Sequence, residues 1–229
     1  MYKLHIANKN YSSWSLRPWL LLKVLGIPFE EHLHPFPEQG AWELYRTFAP
    51  NGKVPCLEDG IITVWDSLAI VEYLAEQYPQ IWPTDKTARA WARAASAEMH
   101  SGFHNLRNNC GMNCGLRIRL SVISPALQKD LNRIDELWCE GLQKFGGPFL
   151  AGKHFSAVDA FFTPVAFRAQ TYQLPLSHAA QAYAQTVLNL PATQDWYTQA
   201  LRETWREPAH EQEALNTGQL IADLRHSEN

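Results

Sequence analysis

The first 78 residues switch repeatedly between a period of two and a helical period. Leu4 and Ile6 alternate with polar neighbours, which predicts a strand over residues 2–7. Residues 16–25 are apolar enough for a helix, with Pro18 expected in its first turn and Gly26 closing it. Residues 28–34 read as a second strand, and residues 38–47 as a short helix or irregular loop. After the turn Pro50-Asn51-Gly52, the β-rich runs 54–58 and 61–65 flank Asp59-Gly60, a strong hairpin signal. Beyond Asp66-Ser67 the period changes again, and Leu68, Val71, Leu74 and Ala75 share one helical face. The order is β-α-β-α-β-β-α, a βαβ unit with a hairpin and a helix after it.

Residues 78–85 carry two prolines and no periodicity, which marks a linker between domains. Past this linker the chain reads as helical, with no convincing strand. Trp91, Ala95, Met99, Phe103, Leu106 and Cys110 recur at helical steps and predict one long helix over residues 87–108. A second amphipathic helix covers residues 125–145 and ends at Gly146-Gly147-Pro148. Residues 158–169 are apolar on nearly every face, as a buried central helix would be. Weaker helical patterns occupy 179–188 and 193–206, and the last twenty residues are polar and expected to be ordered only in part.

Composition narrows this architecture without redirecting it. The 229 residues are 46% hydrophobic and 19% charged, which argues against disorder, and the net charge of −3 makes no case for nucleic acid or a membrane surface. Between Asp85 and Arg119, however, six basic residues (Lys86, Arg89, Arg93, Arg107, Arg117, Arg119) meet only Asp85 and Glu98, a local excess attractive to a small anion. Cys56, Cys110, Cys114 and Cys139 form no Cys-x-x-Cys pair, so neither a zinc ribbon nor a dithiol motif is expected, and no metal. Charged residues Lys3, Lys9 and Arg17 interrupt any signal-peptide core, and no apolar run reaches 18 residues. A cytoplasmic protein with free thiols is the expectation.

Four short motifs carry the candidate chemistry. Asn8 to Trp19 joins the first strand to the first helix and holds Ser12, Ser13 and Ser15 where unpaired N–H groups and the positive end of the helix dipole converge. One serine capping the helix is the plain reading; an anion site with a hydroxyl donor is the sharper one. Asn51-Gly-Lys-Val-Pro55 opens a strand with a proline that admits a cis bond. Asp66-Ser67 opens a helix, and Ser156-x-x-Asp159 is a capping-box pattern at the start of the buried one.

In this order and spacing the four motifs resemble the cytosolic glutathione transferases over nearly the whole chain. The run Ser-Ser-x-Ser-x-Arg looks most like the zeta class, the maleylacetoacetate isomerase type, although Trp14 stands where that class has cysteine and Pro18-Trp19 where it has Val-Arg. The resemblance implies α/β plus all-α architecture: a thioredoxin-like glutathione-binding domain (1–78), a linker (79–86) and an all-helical domain with the electrophile site and a polar tail (87–229). It implies glutathione as co-substrate, a small electrophile as second substrate, and a homodimer. Ser12 would donate its hydroxyl to the glutathione sulfur. Ser13, Gln39, Lys53, Val54, Pro55, Asp66 and Ser67 would hold the tripeptide, with Val54 pairing its backbone as an added strand does and Lys53 and Gln39 facing the glycyl carboxylate. The electrophile would lie between the serine turn and the long basic helix, with Met99, Phe103 and Arg107 on one side and Tyr11, Trp14 and Phe36 opposite.

Three readings compete. The leading one is glutathione conjugation; alternatives are a glutathione-dependent cis-trans isomerase and a non-catalytic binding protein of the same fold. A reductase of the omega type would want cysteine where this chain has Ser12.

Overall fold

A computed structural model describes residues 1–37 and 39–225. The N-terminal part is a four-stranded sheet in the order β2-β1-β3-β4, from β1 (Tyr2–Ile6), β2 (Phe29–Leu33), β3 (Cys56–Asp59) and β4 (Ile62–Trp65). β1 pairs parallel to β2, with Leu4 opposite Glu31, and antiparallel to β3, with Leu4 opposite Leu57. The parallel pair requires a crossover, and α1 (Ser13–Val24) supplies it. The Asp59-Gly60 signal is realised as the β3–β4 hairpin. The short α2 (Ala41–Tyr45) comes after β2, and α3 (Ser67–Gln77) closes the domain. The predicted helix over 38–47 begins at Glu38, which lies outside the described residues.

α1 begins earlier than its apolar pattern indicates. The Ser12 side chain caps it by accepting from Ser15 N at 3.4 Å, so Pro18 falls inside the helix rather than in its first turn. A proline there removes one ladder bond. Burial on all sides compensates: Leu16, Trp19, Leu20, Leu21 and Leu22 are fully enclosed between the sheet and the central helix of the second domain.

The rest is mainly helical: α4 (Lys86–Ser101), α5 (His104–Asn109), α6 (Pro125–Phe145), α7 (Ala157–Tyr172), α8 (His178–Leu188), α9 (Pro191–Arg202) and α10 (Pro208–Leu215). The capping box at Ser156 and Asp159 opens α7 as expected. Asp159 is completely buried and accepts from Leu150 N, Ser156 N and the Tyr183 hydroxyl, each at 3.0 Å. Burial nevertheless raises its pKa to about 6, against those hydrogen bonds.

Three expectations are corrected. The single helix over 87–108 is two, broken at Gly102 and at Phe103, whose φ is 57°. Arg107 satisfies the carbonyls freed at the break, donating to Gly102 O at 2.9 Å and to Met99 O. The helical region also contains strands, β5 (Leu116–Leu120) and β6 (Gly218–Asp223), paired antiparallel. Leu116 and Ile118 are buried and alternate with arginines, a period-two signal too short to stand out, while β6 is largely exposed and carries none. Finally, the C-terminal segment is built structure as far as Arg225, which is itself buried; residues 226–229 lie outside the described residues.

Candidate active site

The turn before α1 forms one wall of a cavity of about 380 Å³ between the two halves. Tyr11, Ser12, Ser13 and Trp14 line it on one side, with Phe36, Tyr45, Lys53 and Val54; Arg107, Met112 and Arg168 from the helical half lie across, and His210 and Glu213 come from α10. The loop Asn51–Val54 reaches it through Gly52, at φ 62°, where an added Cβ would lie 2.4 Å from the Trp42 ring. The Val54–Pro55 peptide is cis, as the motif admits.

Ser12 is at once cap and cavity wall: its hydroxyl lies 2.7 Å from the Ser15 hydroxyl, and its oxygen sits at the positive end of α1. Tyr11 is spoken for. Its hydroxyl donates to Glu211 at 2.5 Å and accepts from Arg225 at 2.6 Å and from Glu207 N at 3.3 Å. Burial, reinforced by Glu211, pushes its pKa up to about 12, so it lines the cavity as a neutral phenol whose proton is committed elsewhere.

Trp14 is clamped between guanidinium groups, with Arg17 4.2 Å and Arg107 4.8 Å from its ring centroid. Arg17 is fully buried and also lies 4.7 Å from the Phe161 ring. Its sole hydrogen bond among the described residues runs to Ser67 Oγ at 3.3 Å; Nε and Nη2 are buried without a partner. Arg168 donates Nε to Cys110 O at 2.8 Å and leaves Nη1 likewise unpartnered. Burial, with Arg107 and Arg168 adding like charge, drives the Arg17 pKa well below its usual range against the opposing pull of Asp66, and burial brings Arg168 to about 10. Enclosing cations with so few polar partners costs on the order of several kcal/mol each. Such a cluster is suited to an anion.

Asp66 stands beside this cluster. It caps α3 by accepting from Leu68 N at 2.8 Å, pairs with His100 at 3.3 Å, and holds a φ of 77° unusual for a non-glycine residue. Arg17 thus bridges the serine turn to Asp66-Ser67 through the Ser67 hydroxyl, two motifs 50 positions apart in the chain.

The remaining expected residues divide. Ser12, Ser13, Lys53, Val54, Tyr11, Trp14 and Arg107 share the cavity wall, while Gln39, Pro55, Asp66, Ser67, Met99 and Phe103 are not among its lining. Met99, on the buried face of α4, and Phe103, at the break after it, belong to the core, and Gln39 is solvent-exposed. Cys110 and Cys114 are buried free thiols. Arg168, His210, Glu213 and Met112 join the wall without any expectation from the sequence. Arg168 sits in a helix so apolar that its charge is itself a signal, whereas nothing local marks His210.

Residues 11–77 match the family model for the glutathione S-transferase N-terminal domain. A glutathione S-transferase-like protein of Beauveria bassiana is 30% identical over 173 residues, covering 71% of this chain and 76% of its own. The chain belongs to the glutathione S-transferase family. The maleylacetoacetate isomerase of Rattus norvegicus is also 30% identical, over 72% of this chain and 76% of its own length. Among solved structures, a glutathione transferase homologue from Burkholderia with bound glutathione superposes with a TM-score of 0.66 at 21% identity, covering 87% of this chain and 97% of that one. A zeta-class maleylpyruvate isomerase also gives 0.66 at 21% identity, over 85% and 95%. The thioredoxin-like domain with a helical one after it is therefore the transferase fold, and the zeta-class likeness of the serine turn agrees with these relatives.

Proposed function

We propose that this transferase binds glutathione along the serine turn and the Val54 edge, stabilises its thiolate at the entry of α1, and directs it at a small anionic electrophile. One observation carries the reading: Ser12, Ser13 and Val54 share a cavity whose opposite wall holds Arg107 and Arg168, with Arg17 buried behind Trp14. A free thiol ionises near pH 8.5, so making the anion dominant at neutral pH takes roughly 2.7 kcal/mol. A helix N-terminus contributes about 0.3–2 kcal/mol, and a hydrogen bond to a charged group about 1.5–3. The dipole needs the hydroxyl.

In this reading Ser12 turns its proton from Ser15 to the glutathione sulfur, and Ser13 flanks it. Val54, before Pro55, pairs its backbone with the cysteinyl unit; Asp66 and Ser67 take the γ-glutamyl end; Lys53 and Gln39 face the glycyl carboxylate. The guanidinium groups favour an electrophile bearing carboxylates, and that feature, with the rat relative, supports glutathione-dependent cis-trans isomerisation of an unsaturated diacid as a second activity of the same site. Retention on immobilised glutathione with turnover of chlorodinitrobenzene is expected, and failure of both overturns the reading. Ser12→Ala should cut turnover more than about tenfold, some 1.4 kcal/mol in the barrier, with little change in glutathione affinity; full turnover would move the role to Ser13.

A further inference from the structure

The cavity contains a histidine that thiolate chemistry does not use. His210, near the start of α10, lines the same cavity as Ser12 and Arg168. Its ring stacks on Phe36, centroids 5.4 Å apart and planes within 13°, and lies 5.4 Å from the Tyr11 ring. Glu207 holds it from behind: one carboxylate oxygen accepts from both the His210 backbone N and Nδ1, each at 2.6 Å. Burial alone would raise the Glu207 pKa, but the His210 hydrogen bonds override it and keep the carboxylate ionised.

An imidazole bound to a carboxylate through Nδ1 is fixed in tautomer and direction, with Nε2 left for chemistry. The mount is rigid as well. Glu211, one residue on, accepts from the Tyr11 hydroxyl and pairs with Arg225, while Arg225 donates to Glu203 O at 2.8 Å and to Trp205 O. The chain on both sides of α10 is thereby clasped to the serine turn.

We propose that His210 is a catalytic proton donor to the second substrate, and that Glu207 is its positioning residue. The proposal rests on the transferase reading above and names the electrophile class as an acidic α,β-unsaturated carbonyl compound. The glutathione sulfur bonds to the β-carbon, and the electron pair of the double bond moves toward the carbonyl as an enolate. The His210 imidazolium gives its Nε2 proton to the α-carbon, completing the adduct, and the neutral imidazole regains a proton from water. Aromatic substitution on chlorodinitrobenzene needs no such proton, since chloride leaves with the bonding pair.

The two electrophiles separate the outcomes. His210→Gln should lose turnover of an acidic aryl enone at least tenfold more than turnover of chlorodinitrobenzene, as a kcat effect with KM little changed. Glu207→Gln should reproduce part of that differential, and Glu207→Asp should recover more of it. In D2O the native protein should place deuterium on one face of the adduct's α-carbon, and His210→Gln on both. Equal losses on both electrophiles, or none, would overturn the proposal while leaving the transferase reading intact. Native protein that turns over neither electrophile overturns both.

Discussion

Lys9 and Arg17 flank the same turn and are both buried cations, yet the protein treats them oppositely. The Lys9 ammonium meets Glu31 at 2.5 Å and Gln199, and lies 5.1 and 5.6 Å from the Trp19 and Trp196 ring centroids. Its charge is answered within the protein, tying the N-terminal domain to α9. The Arg17 guanidinium lies over the Trp14 and Phe161 rings but has one neutral hydrogen bond and two orphaned nitrogens, and of the charges that act on it Arg107 and Arg168 outweigh Asp66. A charge answered internally stabilises the fold; one left short of polar partners behind a cleft wall adds to the field a ligand meets there.

That contrast can be broken by substitution. Lys9→Met should destabilise the protein by about 3 kcal/mol in urea unfolding, because Glu31 loses its counter-ion and the domain contact loosens. Arg17→Met should cost clearly less stability than Lys9→Met, since the guanidinium it removes has one neutral hydrogen bond and two orphaned nitrogens, while raising the KM of an anionic electrophile only a few-fold, because Arg17 acts through space from behind Trp14 rather than by contact. If both variants lost stability equally, the distinction would fall. Tyr11→Phe should cost about 1–2 kcal/mol by releasing the Glu211–Arg225 clasp, with glutathione affinity nearly preserved; a collapse of turnover on every electrophile would instead make Tyr11 the thiolate donor.

The smallest effect expected concerns pH. His5 packs against Phe48 and lies 2.9 Å from a His34 nitrogen, with Glu58 at 3.3 Å. Burial lowers its pKa to about 4 despite Glu58, and His34 and His32 act in the same direction. The native imidazole therefore stays neutral where the unfolded one takes up a proton below its ordinary 6.5. Its contribution to stability is present above that pH and is lost progressively as pH falls toward 4. A urea midpoint that drops between pH 7 and 5, and drops less in His5→Gln, would bear this out.

Local signals are legible where one short segment determines the structure. The Asp59-Gly60 hairpin, the Ser156–Asp159 box and the helix Pro125–Phe145 each come from chemistry within a few residues. Such signals mislead where burial overrides them: Pro18 lies inside a helix that packing holds together, and the stripe through Phe103 continues across a break that Arg107 repairs. Periodicity reports which residues are apolar, not whether the backbone between them stays helical.

The order of residues is enough for the two-part architecture, the serine-rich entry to α1 and the family, because periodicity and caps are local and the four motifs keep their spacing. It does not say which charges meet; packing settles that. Arg17, Arg107 and Arg168 come from three separate helices, and His210 reaches the serine turn because Arg225, fourteen residues past Glu211, clasps Tyr11. Electrostatic energy depends on distance in space and on exclusion of water, and neither is written in the succession of residues along the chain.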